Sequence, residues 1–246
     1  MATVEPLPGE PAAVADIDGE PALVLADVHA GIESALRAER GLSLDSRAET
    51  RRDRIERLLV GTDATRLIVL GDLMHSIGGP GGAERGEIEV LLESLPAVDV
   101  TLVKGNHDGE IESWIEGVTV TEGGGVRLGA VGFAHGHTWP DPDVLAADIV
   151  CVAHEHPQVR LEDEVGGSRA ERVWLRGELN RGVFEDRYDA PVAASELIVV
   201  PAFNDLVGGT WVNTNDEFLA PFLPDALVDG QAYLLDGTRL GSFREI

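Results

Sequence analysis

The sequence holds one cysteine, Cys151, and one lysine, Lys104, among 246 residues. A single thiol excludes an intramolecular disulfide, and with it the small secreted folds that depend on cystines. Lying within an apolar run, Cys151 reads as a small core residue. No apolar run approaches the ~18 residues that a membrane helix needs. The first twenty residues carry Glu5, Glu10, Asp16 and Asp18 but no Lys or Arg, so the basic start of a signal peptide is missing and a cytoplasmic location is expected. Heptads, internal repeats and low-complexity tracts are also missing.

Positive charge is the scarcest commodity. Nineteen Lys and Arg face 44 Asp and Glu, for a formal net charge of -25 and a sequence pI near 4.4. Such a surface repels itself, and it suits concentrated salt, where the Debye length shrinks to about 3 Å at 1 M. A salt-adapted archaeal source fits this balance. A GC-rich genome would explain Arg in place of Lys but not the acid excess. The same surface argues against binding long nucleic acids by phosphate neutralisation, an affinity that falls steeply with salt.

What the chain does have is an ordinary globular composition, 43% hydrophobic and 26% charged. A chain of this length buries roughly 70% of its unfolded surface, ample for a core, and a single domain over 1–246 is expected. Five short apolar runs, Ala22–Ala26, Leu67–Leu70, Val98–Val103, Ala130–Ala134 and Ile149–Ala153, each stop at polar residues or Gly and read as buried strands. Between the early ones lie helical patterns. Ile55, Leu58 and Leu59 line one stripe, closed by Gly61, and Ile88, Leu91, Leu92 and Leu95 line another that stops at Pro96. Asp141-Pro142 reads as a helix start.

From Val159 onward strands dominate. Gly166-Gly167 joins two of them, and Gln231–Leu235 turns at Asp236-Gly237 into Arg239–Phe243 as a terminal hairpin. The polar stretch 180–196 is expected to be a mobile loop. Alternating elements early and strands late predict an α/β fold, a two-sheet β-sandwich flanked by helices.

All seven histidines fall in five motifs, and each motif begins where an apolar run ends. They are Asp27-Val28-His29, Gly71-Asp72-Leu73-Met74-His75, Gly105-Asn106-His107-Asp108, His135-Gly136-His137 and His154-Glu155-His156. Any one alone would be unremarkable, because Asp and His are common in turns. Five at successive strand ends, where α/β folds gather functional groups, make a site. Carboxylate, imidazole and one Asn carbonyl, with no thiolate, suit manganese, iron or zinc rather than calcium or an iron-sulfur cluster. The donors suffice for two ions, the usual apparatus for displacement at phosphorus.

In order, residue type and placement, these motifs resemble the signature of the calcineurin-like metallophosphoesterases, over roughly residues 22 to 156. Ala26-Asp27-Val28-His29-Ala30-Gly31, His154-Glu155-His156-Pro157 and Val200-Pro201-Ala202-Phe203 are similar to the archaeal SbcD-related and bacterial DNA-ligase-associated members. The resemblance implies that Asp27, His29 and His156 bind one divalent ion, and Asn106, His135 and His154 a second, with Asp72 bridging. The ions would be manganese first, with iron, zinc or nickel as the other candidates. His107 would serve as cationic stabiliser or general acid at the scissile phosphate, with Asp108 orienting it. The pattern departs at Ala153, where the family usually has Gly; a positive φ there would strain Ala.

The expected activity is hydrolysis of a phosphodiester by attack of a metal-bound hydroxide, on a phosphate-ester substrate such as a nucleotide or short nucleic acid and away from membranes. A phosphomonoesterase on the same centre is the nearest rival, and a non-catalytic scaffold of the same fold the more distant one. A processive nuclease subunit would need a basic track and an added capping region. His75 and His137 are expected in ordinary hydrogen-bonded roles, and Trp139 in the core. The Arg-dense stretch from Arg40 to Arg57, interleaved with Glu39, Glu49, Asp53 and Glu56, reads as a solvated helix. The run Gly78-Gly79-Pro80-Gly81-Gly82 is either a flexible rim or a connector.

Overall fold

The computed structural model describes residues 3–163, 166–215 and 217–246. In chain order the elements are β1 (Val4–Pro6), β2 (Ala12–Ile17), β3 (Glu20–Leu25), α1 (Ile32–Arg40), α2 (Ala48–Thr62), β4 (Arg66–Val69), α3 (Gly82–Ser94), β5 (Asp99–Val103), β6 (Val118–Thr121), β7 (Val126–Leu128) and β8 (Val131–Phe133). They continue with α4 (Pro142–Leu145), β9 (Ile149–Val152), β10 (Gln158–Glu162), β11 (Ser168–Leu179), α5 (Arg181–Tyr188), β12 (Glu196–Val199), β13 (Leu227–Leu234) and β14 (Arg239–Ser242).

Two sheets form. One runs β1-β2-β3-β4-β5-β6, with β3 to β6 parallel; the other runs β14-β13-β11-β12-β9-β8-β7, with β8, β9 and β12 parallel and β10 paired to β11. Strand periodicity assigns the faces. In β3, Ala22 and Val24 face the other sheet while Leu23 and Leu25 face α2 and α3. In β9, Ile149 and Cys151 face inward while Val150 and Val152 pack on the outer side with Phe184 of α5. Burial on both faces is why these strands read as unbroken apolar runs. The result is four layers: helices, sheet, sheet, helices.

The α/β sandwich and all five early strands match the sequence-based expectation. Three local readings need correction. First, 180–196 holds helix α5, anchored by fully buried Phe184, whose ring lies 5.9 Å from Trp139 and 5.6 Å from Phe222. Second, α2 runs past Gly61 and ends with Asp63 in the left-handed conformation. Third, Arg51 is buried rather than solvated. Its guanidinium donates to Glu33 at 2.6 and 2.9 Å and to Glu87 at 2.6 and 2.9 Å, tying together α1, α2 and α3. Ala153 is not among the described residues with positive φ, so the departure from Gly there carries no strain. Among the described residues, no helix is long and apolar enough to cross a membrane.

Candidate metal centre

Every motif leaves the carboxyl end of a strand: Asp27 follows β3, Asp72 follows β4, Asn106 follows β5, His135 follows β8 and His154 follows β9. The first three strands belong to one sheet and the last two to the other, and their loops converge. Asp27, His29, Asp72 and His156 each place a ligand atom within 4.8 Å of the others, and so do Asp72, His135 and His154. Asp72 belongs to both groups. Asn106 joins the second through its Oδ1, 3.2 Å from His135 Nε2.

The backbone is bent to achieve this. Nine described residues other than Gly have positive φ, and five of them are Asp27, His29, Asp72, His154 and His156. Asp and His tolerate this region better than most residues, but each still costs of order 1–3 kcal/mol, and such strain gathers at functional sites. Two glycines make room. A Cβ on Gly71 would stand 2.3 Å from His135 Nδ1, and one on Gly105 would stand 2.2 Å from Asp72 Oδ1. Neither position admits a side chain while its neighbour stays in place.

Several donor atoms point inward with nothing to bind. Both carboxylate oxygens of Asp27, His29 Nε2 and His156 Nε2 are buried without a hydrogen-bond partner. His156 Nε2 lies 3.3 Å from Asp27 Oδ1, and His29 Nε2 lies 3.7 Å from Asp72 Oδ2. The opposite edges of the rings are anchored. His135 Nδ1–H donates to the Leu70 carbonyl at 2.8 Å, and His156 Nδ1–H to the Gly208 carbonyl at 2.7 Å, so that each Nε2 faces the centre.

The electrostatics are those of a site short of positive charge. Burial would lower His135, but the hydrogen bond and charge of Asp72 and the charge of Asp27 raise it to about 9. His156 is also raised, against burial, by Asp27. Burial and neighbouring imidazoles push His29 down to about 2 and His154 to about 3, with Asp72 opposing. Burial would raise Asp72, yet the His135 hydrogen bond and the surrounding imidazoles hold it well below the usual carboxylate range. Two buried carboxylates thus draw protons onto the rings beside them. Divalent cations would satisfy the same demand through the orphaned oxygens and nitrogens, so the residues present fit a metal centre.

His107 stands at the rim, half-buried. Its backbone N–H donates to Asp72 Oδ1 at 2.9 Å, its Nδ1 binds the His75 carbonyl, and its Nε2 lies 3.9 Å from Asp72 Oδ2. The expectation that Asp108 orients His107 is therefore corrected. The buried carboxylate of Asp108 accepts backbone N–H groups from Asp72 at 2.9 Å, Met74 at 3.2 Å and Gly105 at 2.7 Å, and so laces two loops together. Burial and the charge of Asp72 raise Asp108 to about 6, in spite of those backbone donors.

Three supporting roles escaped the motif reading, one of them inside a motif. Asn204, just after Phe203, donates from its amide to the Val28 carbonyl at 2.8 Å and braces the Asp27–His29 loop. Buried Glu155 accepts from Thr210 Oγ1 at 2.7 Å and from the N–H groups of Leu219 and Ala220, holding these three residues against the last His pair. Glu84, in the first turn of α3, accepts the N–H groups of His75 and Ser76. It also accepts the Gly81 N–H at 3.3 Å, the one half of a capping box that a glycine N-cap allows.

No protein-family model matches the chain, and no curated protein matches it. Among solved structures, the nuclease MPE of Pseudomonas putida superposes with a TM-score of 0.55, covering 95% of this chain and 98% of that one at 20% identity. The chain shares that nuclease's fold. The YfcE phosphoesterase of E. coli covers 58% of this chain and 73% of its own at 21% identity, with a TM-score of 0.37.

Proposed function

We propose that the chain is a dinuclear metal-dependent phosphoesterase that hydrolyses a phosphodiester. The observation that carries this reading is the position of Asp72, shared between two ligand groups that divide the remaining donors between them. Asp27, His29 and His156 would hold one ion, and Asn106, His135 and His154 the other. Manganese suits this mixture of oxygen and nitrogen donors. Two such ions supply Lewis acidity toward phosphoryl oxygens and lower the pKa of bound water.

The chain's own residues do the rest. Leu70 and Gly208 carbonyls, by taking Nδ1–H, orient His135 and His156 so that Nε2 faces the centre and is the nitrogen that would give up its proton to an ion. His107, fixed through Nδ1, presents Nε2 at the rim, where it can place a proton or positive charge on the departing oxygen. The diester preference is supported by the shared fold with a protein described as a nuclease. The acidic surface favours a nucleotide or short oligonucleotide over long duplex. The finer likeness to the SbcD-related and DNA-ligase-associated phosphoesterases rests on the sequence motifs alone. The charge balance further supports a salt-adapted protein.

The test is metal analysis of the purified protein paired with a panel of nitrophenyl monoester, bis-nitrophenyl diester, cyclic nucleotides and short oligonucleotides. Two divalent ions per chain and faster diester than monoester turnover are expected. Faster monoester turnover would replace the diester reading with a phosphomonoesterase. Absence of turnover with both ions bound would favour a scaffold.

A further inference from the structure

His75 lies outside both ligand groups that share Asp72, yet it touches a residue of the first group and the rim acid together. Its Nδ1 is 3.2 Å from Nδ1 of His29, its carbonyl oxygen binds Nδ1 of His107, and its ring stacks on His107 with centroids 5.8 Å apart and planes 21° apart. The peptide that does this is itself pinned. Buried Glu84, at the start of α3, accepts the backbone N–H of His75 through Oε1, and that of Ser76 at 2.9 Å through the same oxygen.

Proton bookkeeping makes the contact directional. If His29 is to offer Nε2 as a lone pair, its single proton must sit on Nδ1. His29 Nε2 is the buried, unpartnered atom of that ring. Among the described residues the hydrogen-bond partner of that Nδ1–H is His75 Nδ1, which must be unprotonated and carry its own proton on Nε2. For His135 and His156 the same work is done by carbonyl oxygens, from Leu70 and Gly208. In His29 an imidazole takes the carbonyl's place. The three nitrogens of His29, His75 and His107 also lie within 4.8 Å of one another. The hydrogen bonds account for His75 as an acceptor in that trio, not as a ligand.

We propose that His75 is a positioning residue, whose Nδ1 fixes the tautomer and ring orientation of His29 while its carbonyl does the same for His107. This rests on the dinuclear reading and assigns it a residue outside the ligand set. Removal of such a partner typically weakens metal binding 10–100-fold.

The variants His75→Ala and His75→Asn separate the side-chain role from the backbone role, because both keep the carbonyl that holds His107. The Oδ1 of Asn sits at about the distance of Nδ1 from the backbone and can accept the same N–H. Manganese binding is measured by chelator competition, alongside imidazole nitrogen NMR of the metal-free proteins at neutral pH. The wild type is expected to bind two ions and show His29 as the Nδ1–H tautomer. His75→Ala should bind one ion 10–100-fold more weakly and show His29 as a mixture of tautomers, while His75→Asn restores both within a few fold.

Equal affinity in wild type and His75→Ala would overturn the proposal, as would His75→Asn binding as weakly as Ala. Three ions in the wild type falling to two in His75→Ala would also overturn it, since the trio would then be a third metal site. A wild type that binds no divalent ion would bring down the dinuclear reading and this proposal together. A wild type that binds two with His75→Ala unaffected would bring down only this one.

Discussion

Asp108 Oδ2 accepts the backbone N–H of Asp72 at 2.9 Å, so the carboxylate next to the rim histidine serves the loop that carries the shared ligand. With Met74 and Gly105 as its other donors, Asp108 is a buckle between two loops. In Asp108→Asn, one oxygen becomes an NH2 group facing backbone N–H groups. The metal-free protein should lose about 1–3 kcal/mol, the cost of leaving buried donors unpaired. Chemical denaturation of the two apo proteins measures this, and equal stability would return Asp108 to a purely catalytic role.

Asp72→Asn should weaken both metal positions at once, whereas His29→Ala should empty mainly one, because Asp72 belongs to both proposed ligand groups and His29 to one of them. Elemental analysis of the purified variants decides. Two ions retained in Asp72→Asn would remove the bridging assignment.

His107→Ala should keep its metals but depend strongly on the leaving group. An alkoxide or nucleoside oxygen leaves as a strong base and needs a proton, help typically worth about 10²–10⁴ in rate. A nitrophenolate leaves with little help. Activity on a nucleoside diester should therefore fall far more than on bis-nitrophenyl phosphate. Equal losses on both would mean that His107 positions the phosphate instead.

Breaking the ion pair under the helices should be costly near neutrality. Arg51→Met leaves buried Glu33 and partly buried Glu87 without their cation, a change of the kind that costs up to about 3–5 kcal/mol. The sign with pH follows from Glu33. Burial would raise its pKa, but the Arg51 hydrogen bond and charge hold it below the ordinary value of a free glutamate. Its contribution is fully present above that unfolded value and is lost as pH falls through the lower folded value. Denaturation of wild type and Arg51→Met at pH 7 and in mild acid should show the gap narrowing with acid. A gap independent of pH would dismiss the carboxylate account.

Desalting should destabilise the fold. With a net charge of -25 over 11300 Å² of surface, lowering salt from about 1 M to 0.01 M lengthens the screening distance from about 3 to 30 Å. Thermal melts should move down, and an unchanged midpoint would remove the argument for salt adaptation.

The parts of this molecule that were legible in the sequence are those whose burial is two-sided. β3, β4 and β9 are apolar on both faces, so each shows as a run that stops at a motif. The edges were not legible. β6 alternates as Val-Thr-Val-Thr, and β1 has three residues, too few for a pattern. The β2–β3 hairpin was announced by Asp18-Gly19, both with positive φ, a turn signal that the acidic N-terminal segment obscured. In the site, candidate ligands were visible because their chemistry is in the side chain. The roles of Asp108 and His75 were not, because they run through backbone groups and between loops far apart in sequence: Asp108 takes the N–H groups of Asp72 and Met74, and His75 gives its carbonyl to His107.

The division of the centre between the two sheets has a mechanical consequence. Asp27, Asp72 and Asn106 ride on one slab of the sandwich, and His135, His154 and His156 on the other. Ions held by all six would act as rivets across the seam, so that sliding one slab past the other would have to break coordination. Any ligand that binds only the assembled state adds to its stability, by about 2.7 kcal/mol at a hundredfold excess over the dissociation constant. Catalytic competence and resistance to shear between the slabs would then rise and fall with the same occupancy.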